Sequence, residues 1–249
     1  MKTAQDFIIE IPVLKPSDRI TKARQILRDD RFREIYVVDA KKGLLGYIDI
    51  TDGLRVTATK SDVTVEGFVR DAPAANPADT VEQVAGMMKK FRTDSAAVVT
   101  EKKQVAGGVL LADIFPVIIS KNELRGPVSH YMTKKVVSVQ PSDSIQKVYT
   151  HIMDSGFAAF PVVEKKKLAG VISRRDLISH TRARPALAQH SSATVGDLMT
   201  RDVVSVSPEE PISTAAELLV MHDVSLLPVV DRGQLVGVIN RHDVLAALA

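Results

Sequence analysis

The 249-residue sequence contains no cysteine and no tryptophan, and only 4% of it is aromatic. Without cysteine there are no disulfides, thiolate zinc sites or cysteine nucleophiles, which suits a reducing compartment or a hot one. Few aromatic rings leave few stacking platforms for single-stranded bases. Long apolar runs are also missing: the stretch from Val105 to Ile119 is cut by Asp113 and Pro116, short of the ~18 residues a spanning helix needs. Asp6 interrupts the N-terminal segment where a signal peptide needs an apolar core, so a soluble, cytoplasmic protein is expected. Six histidines show no HExxH spacing, and no G-x-S-x-G, Walker or post-strand G-x-G-x-x-G sequence occurs. The expectation is therefore no metal and no enzymatic activity.

The chain is 45% hydrophobic and 25% charged, with a net charge of +3, which is ordinary globular composition. The basic pairs Lys41-Lys42, Lys89-Lys90, Lys102-Lys103 and Lys134-Lys135 are scattered, so they read as solvated turns and faces, and a nucleic-acid partner is not expected. Met87, Met88 and Met153 fall on helix faces as packing residues.

The sequence repeats itself four times. Prolines recur at Pro16, Pro77, Pro141 and Pro208, with spacings by subtraction of 61, 64 and 67; aspartates recur at Asp52, Asp113, Asp176 and Asp243, with spacings of 61, 63 and 67. After each proline one apolar helix face is legible: Ile20/Ala23/Leu27, Val81/Val84/Met88, Ile145/Val148/Ile152 and Ile212/Ala215/Leu219. Ser17, Asp79 and Ser142 are expected as N-caps, and Glu209-Glu210 as acids at a helix start. Two apolar runs with a short polar turn follow each helix, as in Ile35–Val38 then Leu44–Ile48, and Phe160–Val163 then Leu168–Ile172. These read as hairpins. Each unit is thus a β-α-β-β-α module of about 60 residues, too small to stand well alone. The expected boundaries are residues 1–60, 61–120, 121–182 and 194–249, with linkers at Ser120–Pro127 and, basic and flexible, at His180–Ala193.

The third and fourth repeats carry the most specific pattern. Met132-Thr133-Lys134-Lys135-Val136-Val137-Ser138-Val139 precedes a helix, Phe160-Pro161-Val162-Val163-Glu164 and Gly170-Val171-Ile172-Ser173-Arg174-Arg175-Asp176. Met199-Thr200-Arg201-Asp202-Val203-Val204-Ser205-Val206 precedes Leu227-Pro228-Val229-Val230-Asp231 and Gly237-Val238-Ile239-Asn240-Arg241-His242-Asp243. This resembles the CBS domain. The resemblance implies an α/β fold of α+β type, with four repeats paired into two pseudo-twofold modules. It also implies clefts for an adenosine-containing ligand (AMP, ADP, ATP or S-adenosylmethionine), and a regulatory role, energy sensing included, exerted as a homodimer on an unidentified target protein.

A ribose needs acceptors for two hydroxyls, which one carboxylate can supply; Asp176 and Asp243 are the candidates, with helix capping as the structural alternative. Ser173 and Asn240 are placed to assist them or to reach a phosphate, and Arg174, Arg175, Arg241 and His242 to neutralise it. Adenine is expected beside Val137 and Val204, with Thr133 and Thr200 at the mouth and the strand starts Ala159-Phe160-Pro161 and Leu226-Leu227-Pro228 alongside. Ala159 and Leu226 stand where nucleotide sensors of this family often carry a basic residue, which favours a nucleoside or S-adenosylmethionine over a polyphosphate. The second repeat has Leu110 and Ala97 for the hydroxyl and the proline. The first has Tyr36 for the proline and Asp49-Ile50-Thr51-Asp52 for the motif, so its paired carboxylates should repel an anion. Ligand is therefore expected in the second module.

Overall fold

A computed structural model describes residues 1–249 except 30, 57–61, 181–182, 184–186, 188–191 and 249. Most of the expected basic linker, including Arg182, Arg184, Pro185, Gln189 and Ser191, therefore lies outside the described residues. The chain divides into two compact units, Met1–Ile118 and Ile119–Ala249.

In the first unit β1 (Val13–Leu14), α1 (Ile20–Ile26), β2 (Glu34–Val38), β3 (Leu44–Asp49) and α2 (Ile50–Arg55) are followed by the same order again: β4 (Ala74–Ala75), α3 (Val81–Phe91), β5 (Ser95–Val99), β6 (Val105–Leu110) and α4 (Leu111–Lys121). Each half forms a three-stranded sheet, β1-β2-β3 and β4-β5-β6, parallel then antiparallel. The linker expected from Ser120 starts later, because α4 continues to Lys121.

The second unit runs α5 (Val128–Tyr131), α6 (Ile145–Ser155), β7 (Ala159–Glu164), β8 (Lys167–Ser173), α7 (Arg174–Ser179), α8 (Val195–Leu198), α9 (Ile212–Met221), β9 (Leu226–Asp231), β10 (Gln234–Asn240) and α10 (Arg241–Leu245). Its sheet order is β7-β8-β10-β9. The leading strands expected before α6 and α9 shrink here to single parallel bridges, Val139 with Val162 and Val206 with Val229. A tight turn breaks the extended run in each, closed by Val136 N–H to Lys134 C=O (3.1 Å) and by Val203 N–H to Arg201 C=O (3.0 Å). All twelve apolar helix positions read from the sequence are buried.

The helices start later than Ser17, Asp79 and Ser142, with Arg19, Thr80 and Ser144 as N-caps. The residues after each proline instead close a turn. The N–H of the residue before the proline donates to an acid three positions on: Lys15 to Asp18, Asn76 to Asp79, Gln140 to Asp143 and Ser207 to Glu210, at 2.8, 2.7, 2.8 and 2.5 Å. A side chain that satisfies backbone in a turn competes with helix there. Each turn is also a dock. Its proline carbonyl accepts an N–H from the segment leading the other half of its unit: Glu66 to Pro16 and Gln5 to Pro77 in the first, Gly196 to Pro141 and Ser129 to Pro208 in the second. The two halves of each unit therefore hold one another reciprocally.

A glycine marks the second reciprocal contact. Gly46, Gly107, Gly170 and Gly237 recur at spacings, by subtraction, of 61, 63 and 67, matching the aspartates. At each the other half's leading segment crosses so closely that a Cβ would stand 2.3 Å from Arg70 O, 2.6 Å from Ile9 O, 2.5 Å from Thr200 O and 3.2 Å from Thr133 O respectively. Only a hydrogen fits at the first three.

Candidate ligand-binding clefts

β8 and β10 pair at their hairpin ends, Lys167 with Gln234, and then take separate partners. Thr200 exchanges two backbone hydrogen bonds with Val171, both 2.9 Å, and Thr133 does so with Val238 at 2.9 and 3.1 Å. The leading segment of each half thereby lies beside the end of the other half's strand, two residues before Ser173 or Asn240. Two equivalent clefts result, Thr200 with Ser173/Asp176 and Thr133 with Asn240/Asp243.

The carboxylates are the third residues of α7 and α10, and the N-caps are Ser173 and Asn240. Ser173 N–H and Oγ–H both donate to Asp176 Oδ2 at 2.7 Å, and Asn240 N–H donates to Asp243 Oδ2 at 2.9 Å. Asp243 N–H returns to Asn240 Oδ1 at 3.0 Å. These are reciprocal capping boxes, so the aspartates have a structural task and are not themselves the caps. Asp176 performs it with Oδ2, and its Oδ1 takes no hydrogen bond among the described residues.

Ala159 pairs in register with Ser173, and Leu226 with Asn240, which brings the strand starts to the same rung as the caps. Val137, Val204 and Thr133 are half-buried and Thr200 is exposed, whereas Phe160, Pro161, Leu227 and Pro228 are buried in β7 and β9. Arg174, Arg175 and His242 are half-buried in the first turns of α7 and α10. Arg241 points elsewhere. Its side chain is 7% exposed and Nη2 donates to Asp223 Oδ1 (2.9 Å) and Leu219 C=O (3.3 Å) at the end of α9, so it tethers a helix and does not face the cleft expected for a phosphate.

In the first unit the equivalent of Thr200 is Arg70, which exchanges backbone hydrogen bonds with Tyr47. Its guanidinium lies 4.8 Å over the Tyr47 ring; Nη2 donates to Asp52 Oδ2 at 2.6 Å and stands 3.3 Å from Asp49 Oδ2. Asp52 is 1% exposed; burial pushes its carboxyl up, the Asp49 charge adds to that, and the Asp49 N–H, Arg70 and Arg55 oppose it. The paired carboxylates expected to repel an anion are thus held by a cation from the other half of the unit. On the remaining cleft, Leu110 is buried and the segment crossing it carries Ile9.

A cavity of about 370 Å3 opens at the hairpin end of the second unit, lined by Lys134, Val136, Ser138, Val163, Lys166, Gln234, Leu235 and Val236. None of these was expected from the sequence as a site residue. Among the described residues, no cluster of three metal-ligating side chains occurs, and no helix is long and apolar enough to cross a membrane.

The CBS domain family matches residues 5–58, 128–182 and 195–249. The chain belongs to the CBS-domain family. An uncharacterised protein of Methanocaldococcus jannaschii is 24% identical over 279 residues, covering 100% of this chain and 98% of that protein. Its crystal structure, reported as that of a candidate archaeal homologue of g-AMPK, superposes with a TM-score of 0.82 at 20% identity over 96% of both chains. An uncharacterised conserved protein of Pyrococcus horikoshii gives a TM-score of 0.68 at 20% identity over 99% of this chain and 100% of that one. These likenesses establish the fold, the paired CBS module. The CBS domain-containing protein YhcV of Bacillus subtilis is 30% identical over 116 residues, 47% of this chain and 81% of that protein. Inosine-5'-monophosphate dehydrogenase of Korarchaeum cryptofilum is also 30% identical, over 46% of this chain, but the match spans only 22% of that enzyme.

Proposed function

We propose that the protein is a non-catalytic regulator made of four CBS repeats, at 1–60, 61–120, 121–182 and 194–249, which binds an adenosine-containing ligand in the module of its third and fourth repeats and passes occupancy to a partner protein. Residues 61–120 enter as a repeat because they share the proline turn, the close-approach glycine and the element order of the other three.

The observation that carries the binding assignment is Arg70. In the first unit its guanidinium reaches from the crossing segment to the motif carboxylate, 2.6 Å from Asp52 Oδ2, so a donor in this cleft can be held by that aspartate. In the second unit Thr200 replaces that long side chain, and Thr133 stands where the first unit has Ile9. A side chain as short as threonine leaves room beside the carboxylate for the hydroxyls of a ribose. Strand starts with neutral Ala159 and Leu226 support a second reading, a ligand of the S-adenosylmethionine type with no phosphate to neutralise.

Calorimetric titration with AMP, ATP and S-adenosylmethionine tests both readings. Saturable binding of one or two equivalents is expected, and Asp176→Ala or Asp243→Ala should weaken it about 5- to 150-fold, the equivalent of about 1–3 kcal/mol for a lost charged acceptor. Because each aspartate closes a capping box, the same variants should also melt slightly lower. Three flat titrations would leave a ligand-free interaction scaffold as the better account. The converse experiment is a gain: Arg70→Thr combined with Asp49→Ser should open the first unit and raise the stoichiometry by one equivalent. An unchanged stoichiometry in a folded double variant counts against Arg70 as the group that closes that cleft.

A further inference from the structure

The cavity at the hairpin end of the second unit has a different chemistry from the clefts. Gln234–Val236 precede Asn240 by four to six residues, which along an extended strand is about 13–20 Å, so a ribose held at Asp243 does not occupy it. Its lining combines four aliphatic side chains with two lysines, and Ser138 and Gln234 add a hydroxyl and an amide. Neither Lys134 nor Lys166 is in an ion pair among the described residues, and both are exposed.

The backbone at Lys166 is strained in a way the second hairpin of the same unit avoids. Lys165 and Lys166 join β7 to β8 with φ of 49° and 68°, a two-residue turn with both residues left-handed, the geometry that favours Asn-Gly. In the hairpin between β9 and β10 the corresponding pair is Arg232 and Gly233, φ 48° and 79°. Lys166 and Gly233 are 67 residues apart, the interval that separates Asp176 from Asp243. A glycine at 166 would remove the left-handed penalty. The third repeat instead carries a lysine there, on the rim of a cavity whose other cation is Lys134.

We propose that this cavity is a second ligand site, which takes a small organophosphate: the phosphate between Lys134 and Lys166, the apolar part against Val136, Val163 and Leu235. A doubly charged phosphate suits two uncompensated ammonium groups, and charge-assisted hydrogen bonds are the strong ones. The site lies on the segment between Thr133 and Val139, which also frames the Thr133 cleft, so its occupancy bears on the orientation of that segment.

The probe is phenyl phosphate, followed by amide chemical shifts in the full-length protein. Saturable shifts are expected at Lys134, Lys166 and Gln234–Val236, with affinity reduced about tenfold or more in Lys134→Ala and in Lys166→Gly. Lys166→Gly should at the same time raise the melting temperature, since it relieves the turn, so its loss of affinity is not a loss of fold. The proposal is overturned if shifts do not saturate by about 10 mM, if they saturate elsewhere in the chain, or if both variants bind like the parent. Adenosine titrated into the same samples reports on the Asp176 and Asp243 clefts; its failure to bind overturns that assignment and not this one.

Discussion

Raising the pH from about 5 to about 8 should destabilise the first unit by roughly 1–3 kcal/mol, and Glu34→Gln should abolish most of that loss. Glu34 opens β2 and is 6% exposed. It lies where the two halves of the unit meet: Oε1 accepts the Asp94 N–H at 3.0 Å and Oε2 the Ser95 hydroxyl at 2.7 Å, while Ser95 Oγ is also 2.9 Å from the Tyr36 hydroxyl. Burial, with the Asp94 charge second, pushes the Glu34 carboxyl up to about 7, against the opposing pull of the Asp94 N–H, Ser95 and Arg33. Arg33 is itself paired with Asp94 at 2.9 Å.

A carboxyl whose folded-state pKa exceeds its unfolded value binds more protons when folded. The stability it contributes is complete below about 4.5 and is lost as the pH rises through about 7. Glutamine keeps an acceptor for the Asp94 N–H and cannot ionise, so Glu34→Gln should unfold with a flatter pH profile and be the more stable protein at pH 8. Denaturant unfolding followed in the first unit across this range is the measurement. A parent profile that rises between pH 5 and 8, or a Gln variant with the parent's slope, would show that Glu34 is already ionised when buried.

Gly170→Val should be the most damaging single substitution in the second unit. A Cβ on Gly170 stands 2.5 Å from the Thr200 carbonyl oxygen and 3.1 Å from Met199 Sδ, and the first of these neighbours is backbone that has two hydrogen bonds of its own to Val171. Overpacking of this kind costs about 1–3 kcal/mol. The segment from Met199 to Thr200 must lift away, so adenosine binding at Thr200 and Asp176 should disappear while the Thr133 and Asp243 cleft keeps its affinity. Gly86 gives the contrast. It lies in α3 with nothing within 4 Å of an added Cβ, so Gly86→Ala should stabilise by about 0.5–1 kcal/mol. Calorimetric stoichiometry and melting temperatures of the two variants decide the matter, and equal binding in Gly170→Val and the parent would show that the crossing segment does not form the cleft.

The repeat itself was legible because its carriers are local: a proline turn, a helix face with apolar residues at i, i+3 and i+7, and a polar hairpin turn are each set by neighbours a few residues away. The four aspartates stood out for the same reason. Their partners did not. The acids Asp18, Asp79, Asp143 and Glu210 were written into the sequence three residues after each turn begins, and they explain why Ser17, Asp79 and Ser142 are not helix caps. The recurrent glycines shared the aspartate spacing, but their purpose depends on a backbone from the other half of the unit.

Arg241 and Arg70 show where local reading ends. Arg241 follows the strand motif as a phosphate ligand would, yet the nearby end of α9 offers Leu219 C=O and Asp223, and a guanidinium takes whichever acceptors surround it once it is buried. Arg70 lies 18 residues from Asp52 in a stretch with no motif, and turns out to be the group that holds the Asp52 carboxylate. The family and the carboxylates that follow the strands were legible in the amino-acid sequence alone, since they rest on short-range pattern. Which segment crosses which strand, and hence which side chains face each motif carboxylate, was decided by tertiary structure, because each crossing joins two halves about 60 residues apart in sequence.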